Sequence, residues 1–166
     1  MSAGMYYWGI DPSTTKAGFA VLDSEGKVVK SGAIHPPNQP TMGRIISIRE
    51  SMDLLMYEYP PIRVAIEEPF LTASTMRSGL AVAAAFTTMM LLCVKHMVPY
   101  VTVKPTTVKA RAGNGGFSKT QMQESARLYF ELGKIPGPDE ADALWVATIA
   151  LSSERTGEKG VTNWLE

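Results

Sequence analysis

Tyr6-Tyr7-Trp8-Gly9-Ile10-Asp11-Pro12-Ser13, followed by Ala17-Gly18-Phe19-Ala20-Val21-Leu22, is the stretch from which the fold can be read. Two short runs of aromatic, β-branched and aliphatic residues flank turn-forming Pro12-Ser13, which is the pattern of consecutive strands. A third run, Val28 to Ile34, follows the turn chemistry of Asp23-Ser24-Glu25-Gly26, so three antiparallel strands are expected in succession.

Working outward, proline-rich His35 to Pro40 breaks the pattern. Thr41 is then expected to cap a helix whose apolar residues recur at Ile45, Ile48, Met52, Leu55 and Met56. A strand from Val64 to Glu67, a helix from about Ser74 to His96 and a strand from Pro99 to Val103 follow. Pro105 opens the next helix at a position where its missing N–H is harmless. Ala112 to Phe117 carries three glycines and reads as a mobile loop. Ser118-Lys119-Thr120-Gln121 reads as a capping box, which puts Lys119 in the first turn of a helix. Gly133 to Pro138 ends that helix, and Asp139 to about Ser153 forms the last. The order β-β-β-α-β-α-β-α-α-α implies an α/β fold with a mixed five-stranded sheet, three antiparallel strands then parallel ones, flanked by helices. Residues 1–153 are expected to form one domain and 154–166 a polar C-terminal tail.

At 166 residues and 45% hydrophobic content the chain suits a single globular domain with a substantial core. No basic start precedes an apolar core and small-residue cleavage site, so no export signal is read. The most apolar run, Gly79 to Val94, spans 16 residues and contains Thr87 and Thr88. A membrane span wants roughly 20, so a buried helix is expected. Cys93 stands alone, which excludes an intramolecular disulfide, fits a reducing cytoplasm and suits a small buried hydrophobe. Net charge is zero, yet between Pro69 and Gln123 there are six basic residues (Arg77, Lys95, Lys104, Lys109, Arg111, Lys119) and no Asp or Glu. Such a segment can be an ordinary solvated face, or a surface that grips phosphates.

Four acidic residues sit at element ends. Asp11 closes the first apolar run, Glu67 closes Val64-Ala65-Ile66, and Asp139 and Asp142 open the last helix. Singly, Asp11 could be a turn residue, Asp139 a helix N-cap and Glu67 a surface strand end. A charge at the end of a buried strand is costly to desolvate, however, and no Lys or Arg stands beside Asp11 or Glu67 in sequence. Asp139 and Asp142 share a helix face, while Ala141, Ala143 and Ala147 permit close helix-strand packing. If that helix starts near the end of the first strand, the four carboxylates converge, and a divalent ion relieves their repulsion. Oxygen clusters of this kind suit Mg²⁺, with Mn²⁺ the alternative, and the chemistry they support is phosphodiester cleavage.

These segments resemble the motifs of the RuvC Holliday-junction resolvases. Gly9-Ile10-Asp11-Pro12-Ser13, with Gly18 and Val21, is similar to the family's first-strand motif; Ala65-Ile66-Glu67-Glu68-Pro69-Phe70 resembles the second, and Asp139-Glu140-Ala141-Asp142-Ala143-Leu144 the closing one. The resemblance covers nearly the whole chain. It implies an RNase H-like fold, a homodimer and symmetric, Mg²⁺-dependent nicking of a four-way DNA junction with two ions per active site. By motif match it implies that Asp11, Glu67, Asp139 and Asp142 are metal ligands. Phe70 then wedges or stacks against bases at the junction. Val108-Lys109 and Ser118-Lys119 resemble the family's two catalytic-region lysines; their separation is one residue shorter than in a bacterial member, which makes Lys104 the substitute for Lys109. The surface implied for DNA comprises Phe70, Arg77, Lys104, Lys109, Arg111 and Lys119. Ser13 in place of glycine, Glu68 in place of glutamine and the neutral charge are departures, and with the small size they point to a bacteriophage or other mobile-element version, expected in the cytoplasm, that of the bacterial host if phage-encoded. Glu68 should face away from Glu67 and is read as structural or as a rim charge. The helix from Ser74 to His96, with Ala81, Ala84, Ala85, Met89 and Met90, is the candidate dimer interface, although core packing alone explains the same residues.

Three other readings start from the same residues. One is an RNase H-like nuclease acting on other branched DNA or on RNA–DNA hybrids; another is a DNA-branch binding protein with weak or lost chemistry. The third is a phosphate loop of the actin and sugar-kinase ATPases, which Gly9 to Thr15 resembles. That reading requires a second domain and a second loop that this chain lacks, so no nucleotide cofactor is expected.

Overall fold

The structure, a computed structural model, describes residues 4–70 and 76–156, apart from the side chains of 76, 77, 155 and 156. Alternation along the first strand sets the architecture. In β1 (Tyr6–Asp11), Trp8 and Ile10 face one side of the sheet while Tyr7, Gly9 and Asp11 face the other, and the interior of the strand is buried on both sides. β1 is therefore central. It pairs antiparallel with β2 (Ala17–Leu22), which pairs antiparallel with β3 (Val28–Ile34). On its other side β1 pairs parallel with β4 (Pro61–Glu67), and β4 with β5 (Tyr100–Val103), giving the order β3-β2-β1-β4-β5. The expected mixed sheet and element order are both found.

Two cores lie on the two sides of the sheet. Trp8, Ile10, Phe19, Val21, Val64 and Ile66 pack against α1 (Thr41–Glu58) and α2 (Met76–Lys95). Tyr7, Ala20, Leu22 and Ala65 pack against α3 (Pro105–Ala112), α4 (Lys119–Tyr129) and α5 (Pro138–Thr156). Boundaries of α1, β4 and α5 differ from expectation. Pro40, not Thr41, is the N-cap of α1, and no side chain caps it, because Thr41 is already helical. β4 begins at Pro61. α2 is described from Met76, so Ser74 lies outside the described residues. α5 continues through Thr156, and the Tyr7 hydroxyl donates to Glu154, so the stretch read as tail begins as helix.

The expectation of a buried α2 holds for one face. Ala85, Met89, Leu92 and Cys93 are buried against the sheet, whereas Leu80 is 70% and Leu91 62% exposed. By composition Ser78–Lys95 is apolar enough to span a membrane. Here that apolarity divides between a core face and a free face.

Candidate metal centre

Register brings the first two carboxylates level. Ile10 pairs with Ile66 across the parallel β1–β4 ladder, so Asp11 and Glu67 follow it at adjacent strand ends. Both take the side of the sheet occupied by α5, since alternate neighbours Gly9 and Ala65 pack there. α5 is seated on glycine. A Cβ added at Gly9 would stand 2.1 Å from the Ala143 carbonyl oxygen, and one at Gly18 would stand 2.0 Å from that of Asp139. This approach delivers Asp142 to the other two, and carboxylate oxygens of Asp11, Glu67 and Asp142 lie within 4.8 Å of one another.

Three acids this close are held away from their ordinary ionisation. Burial first, then the charges of Glu67, Asp142 and Asp139, push the Asp11 carboxyl well above the usual carboxylate range. Glu67 rises to about 7, chiefly through burial and then through Asp142. Asp142 rises to about 6 through burial and then through Asp139. Two cations oppose the shifts: Lys109 acts on Glu67 and Asp142, and Lys119 on Asp11 and Asp142. Those are the two lysines expected beside the acids. Lys119 is placed there by the capping box, in which the Ser118 hydroxyl accepts from the Gln121 N–H and the Gln121 side chain accepts from the Ser118 N–H.

A divalent cation fits this donor set. Glu67 Oε2 is buried with no hydrogen-bond partner, an acceptor left open in the described residues. Hard oxygen donors with raised affinity for positive charge are what Mg²⁺ or Mn²⁺ takes.

Asp139 is placed differently from its three partners. Its Oδ2 lies 3.3 Å from Lys16 Nζ and does not join the close cluster, although its charge reaches Asp11 and Asp142. Lys16 escaped the sequence reading, which looked only at immediate sequence neighbours of Asp11. Its signal was its place as the lone cation on the turn after that aspartate.

The other expected site residues divide. Phe70 is 83% exposed just beyond β4. Lys104 is exposed at the N-cap of α3, directly after Val103, the β5 partner of Glu67. Arg111 donates to the Ser152 hydroxyl on α5. The Arg77 side chain lies outside the described residues. Lys95 belongs to another cluster, where it and His96 contact Asp53 of α1. Glu68 accepts from the Thr102 hydroxyl at 2.8 Å, and with Pro69 and Phe86 it borders a cavity on the α2 side, opposite the carboxylates as expected.

Comparison with known proteins matches residues 7–150 to the family model described as crossover junction endodeoxyribonuclease RuvC. A protein of that name from Dehalococcoides mccartyi is 35% identical over 145 residues, covering 84% of this chain and 86% of the relative. Another, from Anaeromyxobacter dehalogenans, is 35% identical over 153 residues, covering 89% and 81%. Among solved structures, Thermus thermophilus RuvC in complex with Holliday junction substrate superposes with a TM-score of 0.79 at 22% identity, over 95% of this chain and 99% of that one. The yeast mitochondrial Holliday junction resolvase gives a TM-score of 0.59 at 13% identity, over 90% and 81%. These two structures establish likeness of fold.

Proposed function

This chain belongs to the RuvC family of crossover junction endodeoxyribonucleases, and from that premise we propose that it is a Holliday junction resolvase making paired, metal-dependent nicks in four-way DNA. The observation that carries the reading is the convergence of Asp11, Glu67 and Asp142 from two strands and a helix, with Glu67 Oε2 left without a hydrogen-bond partner among the described residues. Asp139 completes the ligand set by rotating its side chain. A divalent cation held by Asp11, Glu67, Asp142 and Asp139 would supply Lewis-acid activation of water and charge neutralisation at the leaving 3′-oxygen. The protein's own groups do the rest. Four carboxylates fix the position of positive charge, Lys119 and Lys109 hold the scissile phosphate, and Lys104 extends this grip along the strand. Phe70, exposed just beyond β4, holds the crossover open by stacking on unpaired bases. Arg77 and Arg111 add phosphate contacts outside this centre.

A four-way junction has twofold symmetry, so two centres must face it. The free face of α2 supplies a seam for a second copy. Leu80, Ala84, Thr87, Leu91 and Val94 recur at alternating steps of four and three, the spacing by which two helices interlock. This revises the expected interface. Ala85 and Met89 face the core, and the contact line is rotated to Leu80 and Leu91.

The test is cleavage of a labelled four-way junction against linear duplex, flap and RNA–DNA hybrid, with Mg²⁺ or EDTA. Paired symmetric nicks confined to the junction are expected. Cleavage of hybrid or flap instead would keep the metal centre and reassign the substrate. In the same assay Phe70→Ala should slow junction cleavage at saturating DNA with near-normal metal affinity; unchanged cleavage would remove Phe70 from the reaction.

A further inference from the structure

The turn from Asp11 to Ala17 is built to aim one cation. The Ser13 hydroxyl accepts from the N–H groups of Thr15 at 3.1 Å and Lys16 at 3.2 Å, a link that glycine at this position could not make. Arg44 of α1 donates its Nε–H to the Thr14 carbonyl at 2.8 Å and ties the turn to the body of the protein. From this fixed backbone Lys16 reaches over the start of α5, its Nζ 3.9 Å from where a Cβ on Gly137 would stand and 3.3 Å from Asp139 Oδ2. The Asp139 backbone cannot follow a pull, because its carbonyl is packed on Gly18. Only its side chain can turn, toward Lys16 or toward the three clustered carboxylates.

We propose that Lys16 is a positioning residue that holds Asp139 out of the carboxylate cluster until a divalent cation exchanges with it. The inference rests on the reading of Asp139 as a ligand. In the metal-free chain the Lys16 pair holds the fourth carboxylate outside the close cluster of Asp11, Glu67 and Asp142, from where its charge still acts on Asp11 and Asp142. Metal entry replaces one cation by another, and both partners can make the exchange because Lys16 and Asp139 keep 36% and 29% of their side-chain surface in solvent. Lys16 is thereby a tax on metal occupancy, so the centre fills only at higher metal or when substrate phosphate contributes ligands.

The experiment is calorimetric titration of the DNA-free, full-length protein with Mn²⁺ at fixed pH and salt, in the wild type and in Lys16→Met, Lys16→Arg, Asp139→Asn and the Lys16→Met/Asp139→Asn double variant. Lys16→Met should bind Mn²⁺ about three- to fivefold more tightly, the scale of a released surface ion pair. Lys16→Arg should stay within about twofold of wild type, and the gain should vanish on the Asp139→Asn background. An equal gain on both backgrounds would make Lys16 a diffuse charge and overturn the proposal, as would no gain or a loss. Lys16→Gln serves as a second neutral variant should the methionine form fold poorly. Failure of the underlying ligand reading shows separately. If adding Asp139→Asn to Lys16→Met leaves Mn²⁺ affinity and stoichiometry unchanged, Asp139 is not a ligand and both readings fall. Weakened binding there, with no gain from Lys16→Met alone, sinks only the role of Lys16.

Discussion

A carboxyl group whose folded-state pKa is raised prefers to be neutral in the native protein, and this fixes how the cluster responds to pH. Glu67 at about 7 and Asp142 at about 6 both stand above their ordinary values of 4.5 and 3.8. Between the ordinary and the raised values the native state holds more protons than the unfolded chain. The stability that Glu67 and Asp142 contribute to the metal-free protein therefore falls as pH rises from about 4 to about 7, by an amount on the order of a few kcal/mol, and Asp11, raised well above its ordinary range, acts in the same direction. Asp142→Asn removes one charge from the crowd. In EDTA at pH 8 it should melt at or above the parent, at pH 5 the advantage should shrink, and at either pH cleavage should be lost while junction binding is kept. A lower melting temperature at pH 8 would show that Asp142 is a hydrogen-bond acceptor the fold requires. The positions of the acids were legible because Asp11 and Glu67 sit where apolar runs stop, Asp139 and Asp142 open the last helix, and buried strand ends leave few other uses for a carboxylate. The Lys16–Asp139 pair was not legible. It depends on which way two side chains turn from a Ser13-braced loop, and residue spacing carries no information on that.

Helix ends set the placement of the cationic half of the site. Lys119 is the first residue of α4, and both arms of the Ser118–Gln121 box are made, so its backbone is fixed by two side-chain bonds at the point where a helix would otherwise fray. Ser118→Ala should cost about 1 kcal/mol of stability, read from the denaturation midpoint. It should also lower kcat severalfold with Mn²⁺ affinity nearly unchanged, because Lys119 loses its anchor while the carboxylates keep theirs. Destabilisation with full kcat would show that the lysine finds its place without the cap. The capping box was legible because its chemistry is local. The seating of α5 was legible only in part: Ala141, Ala143 and Ala147 announced close packing, but the glycines that receive the helix, Gly9 and Gly18, are identifiable as such only once β1 and β2 lie beneath it. α2 shows the opposite difficulty. Apolar residues surround it, so periodicity could not tell core from free face, and Ala85 and Met89, which suited either, lie in the core.

For the whole molecule, the unused face of α2 and the geometry of a four-way junction make the same demand. A helix line of Leu80, Leu91 and Val94, left 70%, 62% and 38% exposed, costs solvation in a monomer, a cost that the proposed pairing with its own copy would relieve. The seam is self-complementary, as a twofold interface must be. Leu91→Glu places a charge at its middle and, in a symmetric pair, brings two like charges together, so it should shift the protein to monomer in sedimentation equilibrium at micromolar concentration. The metal centre lies across the sheet from α2 and should survive: the monomer's Mn²⁺ affinity stays within about twofold of the parent, since sites without shared partners behave additively. Junction cleavage should change in kind as well as rate, from paired nicks within one binding event to slow single nicks on either strand. A Leu91→Glu protein that remains dimeric would place the twofold axis on another surface. One that is monomeric yet still makes paired nicks would remove the requirement for two facing centres.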